Sequence, residues 1–129
     1  MKNLILSLVF LLSSYISFGQ SDKTILRSFN VSVTDVVVDL NCKKTTFTWD
    51  KTYVRVELLV STNLKREILD VVSKNGRYNF ESKLINQSLT IYLPNIKEKI
   101  KIGEIELIEN FEMRIWLPSE TIMKEGVNL

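Results

Sequence analysis

The sequence predicts a mainly β domain, either a small antiparallel β-sandwich or a short solenoid-like sheet, with one short helix at about residues 62–75. Three observations carry that expectation. Residues 49–61 read Trp-Asp-Lys-Thr-Tyr-Val-Arg-Val-Glu-Leu-Leu-Val-Ser, with Val54, Val56, Leu58 and Val60 at every second position. A pleated strand sends alternate side chains to opposite faces, so this spacing gives one apolar face. Similar short alternating runs recur along the chain and are broken at short intervals by polar residues, the mark of an antiparallel sheet. One stretch alone, residues 62–76, departs from alternation.

The chain opens with Lys2 and an apolar run over residues 4–12, followed by small residues at Ser17 and Gly19. This is the pattern of a secretory leader cut after Gly19. The competing reading, a retained anchor, needs about 20 apolar residues, and Ser13 and Ser14 interrupt the run. The expectation is export to the periplasm or the cell surface, with residues 1–19 removed, residues 20–27 a flexible leader, 28–118 one β-rich domain and 119–129 a tail. No second stretch reads as a transmembrane segment.

Composition excludes several functional classes. The formal net charge of the 129 residues is +2, and removing Lys2 lowers it by one, which gives no case for nucleic acid or an anionic membrane. Cys42 is the sole cysteine, so no intramolecular disulfide is available. Its position after the apolar residues 36–38 and Leu40 predicts a buried or half-buried structural thiol. The absence of histidine removes the commonest general base and zinc ligand. No catalytic residues, cofactor or metal site are therefore expected. The densest acidic group, Glu104, Glu106, Glu109 and Glu112, suits a solvated edge better than hydrolysis or calcium binding.

Taken in order, Phe29, Val31 and Val33 predict a first strand and residues 36–40 a second. Residues 41–44 form a polar break, and residues 45–49 a short β-prone piece before the main strand at 53–61. Leu64, Ile68, Val71 and Val72 fit helical spacing, with Thr62 or Asn63 to cap the start and Asn75-Gly76 to stop it. A hairpin turning at Asn75-Gly76 competes, but Glu67 and Asp70 spoil its alternation. Tyr78, Phe80, Leu89, Ile91 and Leu93 predict the core face of a hairpin that turns near Asn86. Phe111, Met113, Ile115 and Leu117 predict a last strand. Ile91-Tyr-Leu-Pro94 recurs as Ile115-Trp-Leu-Pro118, which either one solenoid coil or two equivalent sandwich strands would give.

Aromatic residues are the candidates for function. Trp49, Tyr53, Tyr92 and Trp116 each fall opposite the apolar face of their strand, where a platform for a protein or sugar partner would lie unless a second layer covers it. Val56→Asp is expected to prevent folding, since it places a charge without a partner on the buried face.

The leader ending Phe-Gly-Gln is similar to those of exported Bacteroidetes proteins. Residues 36–40 (Val-Val-Val-Asp-Leu), 46–50 (Thr-Phe-Thr-Trp-Asp) and 54–57 (Val-Arg-Val-Glu), with 103–109 and 111–118, resemble the opening of the adhesin-like β-solenoid proteins, the auto-transporter adhesin head families. Eleven residues follow Pro118, so the resemblance extends to the opening of such a head and not to its stacked coils. It implies an exported, non-enzymatic, adhesin-like interaction module of the bacterial envelope, meeting an envelope protein or a surface glycan. The alternative is a periplasmic binder of a small apolar ligand or lipid, held under the helix at Leu64, Ile68 and Val72.

Overall fold

The structure is a computed structural model that describes residues 20–32 and 34–124. The leader predicted at 1–19 lies outside the described residues, as does Val33. Among the described residues, ten strands and one helix follow in the order β1 (Ser21–Asn30), β2 (Asp35–Asp39), β3 (Lys43–Trp49), β4 (Tyr53–Thr62), α1 (Arg66–Lys74), β5 (Glu81–Ile85), β6 (Ser88–Tyr92), β7 (Lys101–Ile102), β8 (Ile105–Glu106), β9 (Glu109–Pro118) and β10 (Ile122–Lys124). Sheet I has the order β1-β4-β9-β3 and sheet II the order β10-β2-β6-β5, while β7 and β8 form a small hairpin. The two large sheets face each other across one core, and no closed barrel or solenoid forms among the described residues.

The alternation in β4 translates directly into packing. Val54, Val56, Leu58 and Val60 have no exposed surface, and Met113 and Ile115 of β9 join them from the next strand. Sheet II answers with Val36, Val38, Leu89 and Ile91. Each such side chain contributes about 1.5–3 kcal/mol through burial. The two Ile-aromatic-Leu-Pro copies lie in opposite sheets, one at the end of β6 and one closing β9. They are equivalent sandwich strands, with the isoleucine in the core and the aromatic outside.

Several expectations change. Residues 21–30 are a strand paired along its full length with β4, from Ser21 opposite Thr62 to Asn30 opposite Tyr53. The polarity that suggests a frayed leader is that of an edge strand, where Ser21, Lys23 and Arg27 face inward beyond the rim of the core. Residues 122–124 form β10 beside β2, three residues being too few for a readable period. Lys43 and Lys44, assigned to a break, begin β3. Of the seven strand pairings among the described residues, four are antiparallel and three (β3 with β9, β2 with β6, β10 with β2) are parallel. Alternation alone does not distinguish the two modes, because the pleat is the same.

The helix is shorter than predicted. Thr62 completes β4 rather than capping, and Lys65 occupies the N-cap without a side-chain bond. Leu69 and Val72 are buried, whereas Val71 is 56% exposed. The predicted stop holds, with Asn75 at the C-cap and Gly76 at a φ of 93°. Tyr78 and Phe80 are buried but precede β5, which places the hairpin at residues 81–92. Its two-residue turn, Asn86-Gln87, has both φ angles positive, the form that fits strand twist.

Candidate functional site

Residues of even number on β1 and β9 and of odd number on β3 and β4 point away from the core, forming the outer face of sheet I. None of them is buried. The helix lies on the opposite, core side: Leu69 and Val72 enter the core, and Ser21 Oγ donates to the Leu64 carbonyl at 2.7 Å. Lys23 Nζ pairs with Asp70 at 3.1 Å, also on that side. The covering layer that the helix could have supplied is thus absent from the outer face among the described residues.

Register brings the aromatic residues together at one end of this face. Trp116 on β9 stands beside Arg55 on β4 and Phe47 on β3. The Phe47 and Trp116 rings stack at 5.2 Å between centroids, and the Arg55 guanidinium lies 5.5 Å from the centre of the Trp116 ring. Trp49 is 6.3 Å from Trp116 and meets Tyr53 edge-on at 5.0 Å. Trp49 Nε1 donates to the Tyr53 carbonyl at 2.9 Å across the β3–β4 turn, so its indole is fixed rather than freely rotating. A row of aromatic and guanidinium groups on a rigid sheet is a preordered contact surface, with little side-chain freedom left to lose on binding.

Three of the four expected residues, Trp49, Tyr53 and Trp116, therefore share one site. Tyr92 does not. It lies on the outer face of sheet II, where its hydroxyl donates to Glu81 at 3.1 Å and Lys83 stands 4.8 Å from the ring centre. The hydrogen bond to Glu81 raises the Tyr92 pKa above the ordinary phenol value. Phe47, at 41% exposure, completes the cluster. Its signal was present in the sequence, since it stands two residues before Trp49 and so on the same face of one strand.

Beside the aromatic row, a cleft of about 180 Å³ is lined by Lys43, Thr45, Glu57, Leu59, Glu112 and Arg114. Arg114 and Glu57 approach to 3.4 Å with the arginine 62% exposed, a pair of little energetic weight.

The cleft beside the helix, about 380 Å³, is lined in part by Ile68, Val72, Ile100 and Ile102, with Arg77 in its wall. Leu64 is sealed in the core instead. Arg77 has no donor left for a ligand. Nε and Nη2 bind Glu109, Nη2 also reaches the Ile96 carbonyl, and Nη1 reaches those of Asn95 and Glu98. A guanidinium has five N–H donors, and five contacts are made. Tyr78 donates its hydroxyl to Glu109; burial, then this bond, push the Tyr78 pKa well above that of a free phenol. The group ties the loop at 95–98 to β9. It offers no charge to an anionic headgroup.

The four glutamates are dispersed. Glu104 sits in the β7–β8 turn, Glu106 on β8, Glu109 in the arginine clamp and Glu112 on the outer face of sheet I. No three of His, Cys, Asp and Glu converge on a point among the described residues. Cys42 is half-buried, and burial pushes its pKa up, partly offset by Lys44.

No protein-family model matches the chain, and no curated protein matches it. Among solved structures, the chain is similar to one described as a "putative cell adhesion protein" from Clostridium sporogenes, with a TM-score of 0.45 and 11% sequence identity. The match covers 81% of this chain and 46% of the other, so this chain spans about half the length of the protein it matches. This is a distant structural match and assigns no family.

Proposed function

We propose that the chain is an exported, non-enzymatic, adhesin-like interaction module of the bacterial cell envelope. It meets its partner, an envelope protein or a surface glycan, through the aromatic end of the outer face of sheet I. The observation that carries this reading is the convergence of Phe47, Trp49, Tyr53, Arg55 and Trp116 on a face with no covering layer among the described residues. Aromatic and arginine side chains supply much of the energy of protein contacts. The leader pattern of residues 1–19 supports export. A chain without histidine, with its carboxylates dispersed, supports a binding role over catalysis.

The test is capture from envelope extract, comparing the parent with Trp49→Ala/Trp116→Ala and with Phe47→Ala. The expected result is saturable capture of one species by the parent and its loss with both variants, at unchanged far-ultraviolet circular dichroism. Protease treatment of the extract distinguishes the partners, since a glycan survives it. Capture that persists in both variants would refute the assignment of the face.

A further inference from the structure

The four edge strands of the sandwich are not equally protected. Edges invite pairing with another chain, and natural proteins blunt them with charges, short strands or inward-pointing lysines. β1 carries Lys23 and Arg27 on its core-side face, β5 alternates Glu81 with Lys83, and β10 has three residues, with Lys124 paired to Asp35 at 3.0 Å. β3 differs. After Lys43 and Lys44, its remaining residues are Thr45, Thr46, Phe47, Thr48 and Trp49, all uncharged and all but Thr45 and Trp49 flanked on both sides by β-favouring residues. Residues 45–48 are all exposed, and β3 has β9 on one side only.

The residues around this edge complement themselves. Read from 43 to 50 they run Lys-Lys-Thr-Thr-Phe-Thr-Trp-Asp, positive at the start and aromatic then negative at the end. Lys43, Lys44 and Asp50 take part in no ion pair among the described residues. We infer that β3 pairs antiparallel with β3 of a second copy of this chain, about a two-fold axis at Thr46. In that register Lys43 stands directly opposite Trp49 of the second copy, where an ammonium over an indole is favourable. Lys44 is opposite Thr48 and diagonal to Asp50, within the reach of a long side chain. Thr45 is opposite Phe47. A parallel pairing in register would place the lysines beside their own copies, so the charges select the antiparallel mode.

The outer faces of the two copies of sheet I become one continuous face, because residues opposite each other in an antiparallel pair point to the same side. The two Phe47 rings become diagonal neighbours, and the Arg55–Trp116–Phe47 row of one copy leads to that of the other. This pairing is independent of the partner-binding reading of the face. One edge contact is a small interface, so the dimer is expected to exchange with monomer in the micromolar range.

Sedimentation equilibrium of the purified protein tests the pairing, expecting an average mass that rises from monomer toward dimer with concentration. Thr46→Lys puts two ammonium groups beside the axis and is expected to give monomer throughout, with an unchanged melting curve because residue 46 is exposed. In a Cys42→Ala background, Thr46→Cys is expected to form a covalent dimer when diamide is added. Cα atoms opposite each other in an antiparallel pair lie roughly 4.5–5.5 Å apart, within the span of a disulfide. Thr24→Cys on the β1 edge is the control and is expected to cross-link far less. A parent that stays monomeric to about 1 mM, a Thr46→Lys variant that dimerises like the parent, or cross-linking no greater at 46 than at 24 would each overturn the inference.

Discussion

Tyr78 shows how one buried hydroxyl makes stability depend on pH. Its side chain is 1% exposed and donates to Glu109, which is itself clamped by Arg77 at 2.6 Å. Burial, then the hydrogen bond and negative charge of Glu109, raise the Tyr78 pKa in the folded state above its ordinary value of 10.0. The unfolded chain would therefore ionise first. The contribution to stability is complete below pH 10 and is lost as pH rises past it toward the folded value. Tyr78→Phe is expected to lower the melting temperature at pH 8, by losing the bond to Glu109, and to flatten its decline above pH 10. Melting curves of parent and variant over that range measure both effects. None of this was legible in the sequence, where Arg77, Tyr78 and Glu109 belong to separate segments. Tyr78 was readable as a core residue, but its partner was not, because contact between distant segments depends on how the sheets pack.

At the scale of the element, the sequence was most informative where one face is fully buried. Alternation in β4 and β9 placed every core residue correctly, because a one-residue slip would turn the whole apolar set to solvent. It was least informative at edges. Residues 21–27 of β1 read as a loose leader, although Phe29 belongs to a predicted first strand, and β10 read as nothing, since an edge strand is wetted on more than one side and need not alternate. The same register decides how charge insertions behave. Leu58 is flanked across the sheet by Ile25 and Met113, and Lys23 and Arg27 stand only diagonal to it. Leu58→Asp is expected to leave the chain unfolded, because an unpaired buried charge costs several kcal/mol against a total stability of about 5–15 kcal/mol. Val56→Asp, which the sequence alone predicts to prevent folding, is expected to be milder than that, since the exposed Arg27 stands directly opposite it. Circular dichroism of the two variants checks the order. The candidate site was partly legible for the same reason: parity along each strand put Trp49, Tyr53 and Trp116 on outer faces. Which strands become neighbours was not legible, so Tyr92 was grouped with them although it belongs to the other sheet.

For the whole molecule, the pairings are long-range. Ser21 lies beside Thr62, Asp35 beside Ser88 and Lys43 beside Glu112. Closing such contacts costs chain entropy before they yield any stability. Folding of the purified protein is expected on the millisecond-to-second scale, in contrast to the faster folding of small helical bundles. Stopped-flow fluorescence of Trp49 and Trp116, which sit together only once β3 and β9 are paired, gives a direct measure.

The parallel pairs have a consequence for biosynthesis. A chain grows from its N-terminus, so β2 and β3 leave the ribosome well before β6 and β9, the strands that they lie beside. β1 and β4 can pair as soon as residue 62 is made, but β3 has no neighbour in sheet I until residues 112–118 follow. Through that interval the Thr45–Trp49 segment is an unprotected β-prone stretch. A holding chaperone would have most to do there, and a nascent chain stalled before residue 112 would be the form most exposed to aggregation.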